Sequence, residues 1–304
     1  MKTIILGGGI SGLVALNYTQ DAILYERNST VAADLVDDTF PKFIHSNFDT
    51  VAFCTDIGVV PKIIPFKIGI YYKRQIHDFF SPNISTEDKH SLYNDYCIKK
   101  YGKIEVDKMN GFLSGRREEC YIWNKNEIVK KLVEKNYTRI FLNNKVTEIN
   151  VRKKYIVVND KQESYDQLIS TLPTHIFGQL ASVQCPVEFL NLKCVLVEAE
   201  MKSDISQYNF IYVVDEHYRF NRVNVSIDKA RYIFEFPTIH TDEGDCYKFC
   251  DEFKIKSIDH SLMKGYSFPK LLSPVIIDGV RFVGRFAVGD YTLKTEDVIK
   301  EFRL

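Results

Sequence analysis

Hydrophobic positions first appear as an unbroken block. Residues 2–6 (Lys-Thr-Ile-Ile-Leu) show no polar alternation and stop at glycine, which predicts a short strand buried on both faces. Residues 10–20 change period: Ile10, Leu13, Val14 and Leu16 fall on one face of a helix. Residues 22–26 (Ala-Ile-Leu-Tyr-Glu) form a second apolar run. Strand, glycine turn, helix, strand is a βαβ unit. From 30 to 115 the pattern is less regular, with turn signals at Phe40-Pro41, Ile64-Pro65 and Ser81-Pro82-Asn83 and a rim hairpin over 68–79. Asn124 to Lys135 reads as a helix with Asn124 as cap, Glu127 three residues on, and Ile128, Val129, Leu132 and Val133 on one face. Strands follow near 138–142, 146–151 and 154–158, and another runs from Tyr165 to the stop at Pro173. Residues 193–236 alternate as antiparallel strands do. A helix near 245–256, a strand at 280–283 and a helix opened by Thr295-Glu296-Asp297 close the chain.

Composition adds mainly exclusions. The 304 residues are 45% hydrophobic and 26% charged, a globular balance that needs no disulfides for a core. Forty basic and forty acidic residues cancel, so no global field draws the chain to nucleic acid or to an acidic membrane. The seven cysteines are odd in number and scattered, and the histidines do not cluster, so the expectation is reduced thiols and no metal. No signal-peptide pattern opens the chain, and no run approaches the ~20 apolar residues that span a bilayer. A cytoplasmic location is expected.

The chemistry begins at Gly7-Gly8-Gly9-Ile10-Ser11-Gly12, a G-x-G-x-x-G pattern on Gly7, Gly9 and Gly12. Gly7 permits a tight turn off the strand. Gly9 lets backbone approach a pyrophosphate, and Gly12 lets helix and strand pack closely. The helix N-terminus, at Ile10 and Ser11, offers free N–H groups to phosphate. Glu26 ends the next strand, nineteen residues after Gly7, where a carboxylate can accept ribose hydroxyls and disfavours a 2′-phosphate.

With these motifs in place, the chain resembles the FAD-binding superfamily of flavin amine oxidases, protoporphyrinogen oxidases and UDP-galactopyranose mutases. Three places carry the resemblance. One is Ile4 to Glu26. A second is Asn144-Lys145-Val146-Thr147-Glu148-Ile149 with Asp166 to Pro173. The third is Phe282-Val283-Gly284-Arg285-Phe286-Ala287, followed by Tyr291 and Glu296-Asp297-Val298-Ile299. The resemblance implies an α/β fold: a Rossmann-like FAD-binding domain with a mostly parallel sheet in three layers, interleaved with an α+β substrate domain on an antiparallel sheet. The FAD part would comprise 1–45, 115–185 and 265–304, and the substrate part 46–114 and 186–264. It also implies FAD contacts at Gly7, Gly9, Ile10, Ser11, Gly12, Glu26, Arg27, Val146, Gly284, Arg285 and Asp297. No cysteine lies near Gly284, so non-covalent flavin is expected. Three features depart from the family: a first helix about one turn short, no paired glycines after Glu26, and no aromatic in Val288-Gly289-Asp290.

The resemblance implies one of two reactions on a small-molecule substrate. Oxidation of a C–N bond by hydride transfer to flavin N5 from the carbon next to an amine, the amine-oxidase type, is the expectation carried forward. The alternative is a redox-neutral, mutase-like attack of reduced N5 on a nucleotide sugar, which needs arginines for phosphate. Flavin binding without turnover, or an amine carried on a nucleotide or nucleic acid, are further alternatives. Candidate substrate residues are Arg222, Tyr212 and Tyr291, with Tyr218, Tyr232, Tyr266 and Arg231 behind them. His45, His77 and His175 have no partner by spacing, and no catalytic base can be named.

Overall fold

A computed structural model describes residues 1–32, 43–44, 48–60, 62–65, 67–78, 84–101, 119–122, 124–200, 203–226, 228, 230–237, 243–290 and 293–303. The chain opens with β1 (Thr3–Leu6), α1 (Ile10–Tyr18), β2 (Ala22–Tyr25), β3 (Phe43–Ile44) and α2 (Phe48–Asp56). Next come β4 (Lys62–Pro65), β5 (Ile68–Tyr72), β6 (Gln75–Asp78), α3 (Thr86–Tyr101), β7 (Glu119–Ile122) and α4 (Lys125–Asn136). They are followed by β8 (Ile140–Phe141), β9 (Val146–Asn150), β10 (Tyr155–Val158), β11 (Lys161–Ser164), β12 (Gln167–Ser170) and α5 (Thr174–Ala181). The remainder is β13 (Val187–Ala199), β14 (Phe210–Val213), β15 (Arg222–Val225), β16 (Arg231–Phe236), α6 (Glu243–Glu252), β17 (Ser257–Leu271), β18 (Val280–Phe282), α7 (Arg285–Val288) and α8 (Thr295–Arg303).

A five-stranded parallel sheet runs β18-β12-β1-β2-β8. Its central strands carry apolar side chains on both faces because both faces are covered. Ile5, Leu24 and Ile169 point toward α1, α2, α4 and α8, where Leu13, Phe53, Ile128, Leu132 and Ile299 complete one core. Ile4, Leu6 and Leu168 point the other way, onto the three-stranded antiparallel sheet β11-β10-β9 and α5, where Ile149, Ile156 and Phe177 complete a second. Each fully buried side chain of this kind contributes about 1.5–3 kcal/mol. The α/β fold class is as expected.

A seven-stranded sheet runs β17-β13-β16-β15-β14-β5-β6. All its pairs are antiparallel except β5 with β14, which is parallel, a pairing across some 140 residues that local alternation does not reveal. One face packs Tyr71, Val213, Val223 and Phe234 against Phe249 of α6, and the other packs Ile70 and Val214 against Leu92 and Tyr96 of α3. The expected rim hairpin is β5–β6 at the sheet edge, turned by Lys73 and Arg74, both left-handed at φ 51° and 59°. The first helix ends at Tyr18, two residues earlier than its periodicity suggests, and left-handed Asp21 leads the chain into β2. The turn signals at Phe40-Pro41 and Ser81-Pro82-Asn83 lie outside the described residues.

Candidate functional site

Four sequence motifs converge on the carboxyl edge of the parallel sheet, where α/β folds bind ligands. The glycine loop follows β1, Glu26 follows β2, Thr171 follows β12, and Gly284 follows β18. The loop's glycines are required for different reasons. Gly7 has φ +101°, and a Cβ there would stand 2.5 Å from Thr171 Oγ1. That hydroxyl in turn donates to the Leu6 carbonyl at 2.8 Å, tying the β12 exit to the loop. A Cβ on Gly12 would stand 2.0 Å from the Gly7 carbonyl oxygen. Gly9 differs: its backbone (φ −69°, ψ 175°) suits any residue, and nothing lies within 4 Å of the Cβ it lacks. Protein packing therefore does not require glycine at position 9, whereas close approach by a ligand would. Gly9 caps α1 without a side-chain bond, so the amides of Ile10, Ser11 and Gly12 have no side-chain acceptor there.

Glu26 is buried, and both carboxylate oxygens are engaged. Oε2 accepts the Gly8 N–H at 2.7 Å and Oε1 accepts the Asn28 N–H at 2.8 Å. Gly8, an unspecified position of the motif, is buried because the Glu26 side chain fills its space: a Cβ on Gly8 would lie 3.0 Å from that of Glu26. Each oxygen keeps a lone pair for a further donor. Beyond Glu26, where the family's paired glycines are missing, Ala32 adopts φ +51° and donates its N–H to the Gly8 carbonyl at 2.9 Å. Alanine is small enough for this left-handed turn, at a steric cost a glycine would not carry. Sequence reasoning gave no role to Gly8, Asn28 or Ala32, and held Thr171 only as part of the Asp166–Pro173 block.

The closing turn reaches the same edge. Gly284 has φ +84°, and a Cβ there would stand 2.4 Å from Ser11 Oγ. The Val283 N–H donates to the Ser170 carbonyl and completes the approach. Arg285 is half-buried and donates from Nε to the Leu293 carbonyl at 3.0 Å. Asp297 is exposed and accepts the Lys294 N–H at 2.7 Å, capping α8. Val146, at the start of β9, packs against the core beneath the antiparallel sheet, and Arg27 is exposed. The structure thus gathers Gly7, Gly9, Ile10, Ser11, Gly12, Glu26 and Gly284.

The candidate substrate residues lie on the seven-stranded sheet. Arg222 pairs through Nη2 with Glu235, and the same carboxylate accepts from Lys100 of α3 at 3.0 Å. Lys100 and Glu235 are buried. Burial opposes the charge on Glu235, but Arg222 and then Lys100 outweigh it and hold the carboxyl at about 2. Tyr212 stands edge-on to Tyr96 at 5.0 Å. Two tyrosines considered as site walls prove to be core. Tyr218 is buried with its hydroxyl on Glu252, and Tyr232 is buried with its hydroxyl 2.7 Å from Ser206 Oγ. Arg231 pairs with Asp228 at 2.7 Å. His77 packs beside Tyr72, and His175 stands edge-on to Phe189 at 5.0 Å. Tyr291, His45 and the Tyr266 side chain lie outside the described residues. Among those described, no group of three His, Cys, Asp or Glu side chains could hold a metal, and no helix is long and apolar enough to cross a membrane.

No family model matches the chain. In sequence it is 24% identical over 226 residues to a methionine aminopeptidase of Buchnera aphidicola subsp. Schizaphis graminum, covering 68% of this chain and 85% of that protein. At that identity the match assigns no family. Solved structures match the whole fold. An oxidoreductase from Methanosarcina mazei superposes with TM-score 0.67 at 12% identity, over 100% of this chain and 99% of its own. A reduced UDP-galactopyranose mutase gives 0.63 at 13%, over 98% and 92%, and cyclohexylamine oxidase from Brevibacterium oxydans gives 0.62 at 12%, over 100% and 99%. In fold, therefore, the chain is similar to solved structures that include an amine oxidase and a UDP-galactopyranose mutase.

Proposed function

We propose that the chain binds FAD non-covalently at the carboxyl edge of the parallel sheet and oxidises a C–N bond of a small amine. The observation that carries the flavin part is Gly9: a permissive backbone, an empty side-chain space, and a helix N-terminus beside it. The amides of Ile10, Ser11 and Gly12 would face the pyrophosphate. Glu26 would accept ribose hydroxyls on the lone pairs that Gly8 and Asn28 leave open. The β9 strand at Val146 would border the adenine, and Gly284, Arg285 and the start of α8 at Asp297 would border the flavin half. Bound FAD supplies a hydride acceptor at N5; the protein supplies position and exclusion of water.

The choice of amine oxidation over mutase chemistry rests on the arginines. A nucleotide-sugar diphosphate needs guanidinium groups turned toward it. Arg222 is held by Glu235, Arg231 by Asp228, and Arg285 by the Leu293 carbonyl. Purified protein should take up FAD and show its two-band absorption. Anaerobic mixing with a panel of primary and secondary amines should bleach it. Protein that takes up no FAD would refute the cofactor. Intact flavin that no amine bleaches, but that turns over a nucleotide sugar once reduced with dithionite, would refute the C–N reading and leave the flavin site standing.

A further inference from the structure

α3 leaves a groove of about 390 Å³ between itself, the β5–β6 turn and the segment after β14. Tyr72, Ile98 and Val214 supply apolar wall, and Lys99 stands among them. The Lys99 amine donates to the backbone carbonyl of Asp215 at 2.6 Å. Asp95 precedes it by four residues and so shares its face of α3. Lysine and carboxyl therefore meet one open cavity without pairing to each other.

We propose that Lys99 is a carbonyl-capture site, whose amine condenses with a small uncharged aldehyde or ketone held in this groove while Asp95 donates the proton. Nζ forms a bond to the carbonyl carbon and gives a carbinolamine. The Asp95 carboxyl protonates the departing hydroxyl, the C–O bond breaks, and water leaves. Nζ then gives its own proton to the Asp95 carboxylate, which restores the acid, so the product is a neutral imine with no change in oxidation state. Burial pushes the Lys99 amine down to about 8, against the opposing pull of Asp215, Asp245 and Glu216. Burial, with Glu216, pushes the Asp95 carboxyl up. The charged groups acting on the amine are Asp215 and Glu216 after β14 and Asp245 on α6, while Asp95 on α3 and Lys73 in the β5–β6 turn share the lining of the groove. The Lys73 ammonium lies over the Tyr72 ring, 4.9 Å from its centroid, and the three carboxylates that act on the Lys99 amine disfavour anionic aldehydes beside it. The site stands independently of the flavin reading.

The test is reductive alkylation of the intact protein, read by peptide mass spectrometry. With propanal and cyanoborohydride at pH 7.5, Lys99 should be modified at least tenfold faster than exposed Lys73 or Lys130. About a quarter of a lysine titrating near 8 is neutral at that pH, against roughly a thousandth of an ordinary one. The Lys99 rate should rise with a midpoint near pH 8. Pyridoxal phosphate, an anionic aldehyde, should modify Lys99 no faster than the exposed lysines. Asp95→Asn should slow capture by propanal at least threefold at Lys99 alone, and Lys99→Arg should abolish the labelled peptide. Equal rates at Lys99 and exposed lysines, a midpoint near 10, or equal capture of the two aldehydes would overturn the proposal.

Discussion

Replacing Gly9 by alanine adds one methyl group where the protein itself offers no resistance. No atom lies within 4 Å of the new Cβ, and φ −69°, ψ 175° is open to alanine. As a helix N-cap, alanine is worse than glycine by roughly 0.5–1 kcal/mol. Against that, alanine reduces the freedom of the unfolded chain by about 0.4–1 kcal/mol. The two nearly cancel, so the apoprotein melting temperature should move by about 2 °C or less. Ligand binding should respond very differently. A phosphate oxygen bonded to a loop amide sits about 2.9 Å from nitrogen, inside the space a neighbouring methyl needs. Losing two charge-assisted hydrogen bonds at about 1.5–3 kcal/mol each gives roughly 3–6 kcal/mol, or about 10²–10⁴-fold in FAD affinity. Thermal unfolding of the apoprotein by circular dichroism and a fluorescence titration with FAD measure the two halves. An unfolded Gly9→Ala protein, or a folded one with wild-type FAD affinity, would refute the assignment of this loop.

Gly12→Ala should have the opposite profile: its Cβ falls 2.0 Å from the Gly7 carbonyl oxygen, so soluble expression itself should collapse. Gly284→Ala meets Ser11 Oγ at 2.4 Å in a left-handed backbone, and urea unfolding should show a loss of about 1–3 kcal/mol. Adding Ser11→Gly should recover part of that loss but leave about 1 kcal/mol from the backbone. Glu235 is depressed when folded, so its contribution is present above its unfolded value and disappears as pH falls from about 4.5 toward 2. Acid titration of the melting temperature should show that step, on the order of 3 kcal/mol. Glu235→Gln should erase the step and cost about 3–5 kcal/mol at neutral pH, because Lys100 and Arg222 would lose their carboxylate.

The parallel-sheet side of the molecule was readable because its signals have fixed local offsets. Glycine spacing, short unbroken apolar runs and the Asn124 cap, which does accept the Glu127 N–H at 3.1 Å, depend only on near neighbours. The seven-stranded sheet was readable as strands but not as an order, since β5 joins β14 across some 140 residues that hold many other elements. α3 was missed because its buried face includes Lys100 and Tyr96 in place of an aliphatic stripe. Lys100 becomes an interior residue only when Glu235, from a strand 135 positions away, comes to meet it. At the site, the glycines and Glu26 were legible. The partners that fix them, Thr171, Asn28 and Ala32, act through single hydrogen bonds or one dihedral angle, and no spacing rule marks them. Arg222 was legible as a cation but not as half of an ion pair.

The two amides that grip Glu26 have a consequence for selectivity. A free glutamate loses about 1.5–2 kcal/mol of rotamer entropy when it is fixed in place. Here the Gly8 and Asn28 N–H groups extract that loss as the chain folds, so the ribose proposed to dock there would find the acid already set and meet no ordering cost at that residue. The same grip removes any route of retreat. A carboxylate on a free side chain can swing aside from a phosphate; this one cannot without abandoning the loop amide that shapes the pocket. On the proposed reading of this site, rejection of a 2′-phosphorylated ribose would be built into the resting fold rather than induced on contact.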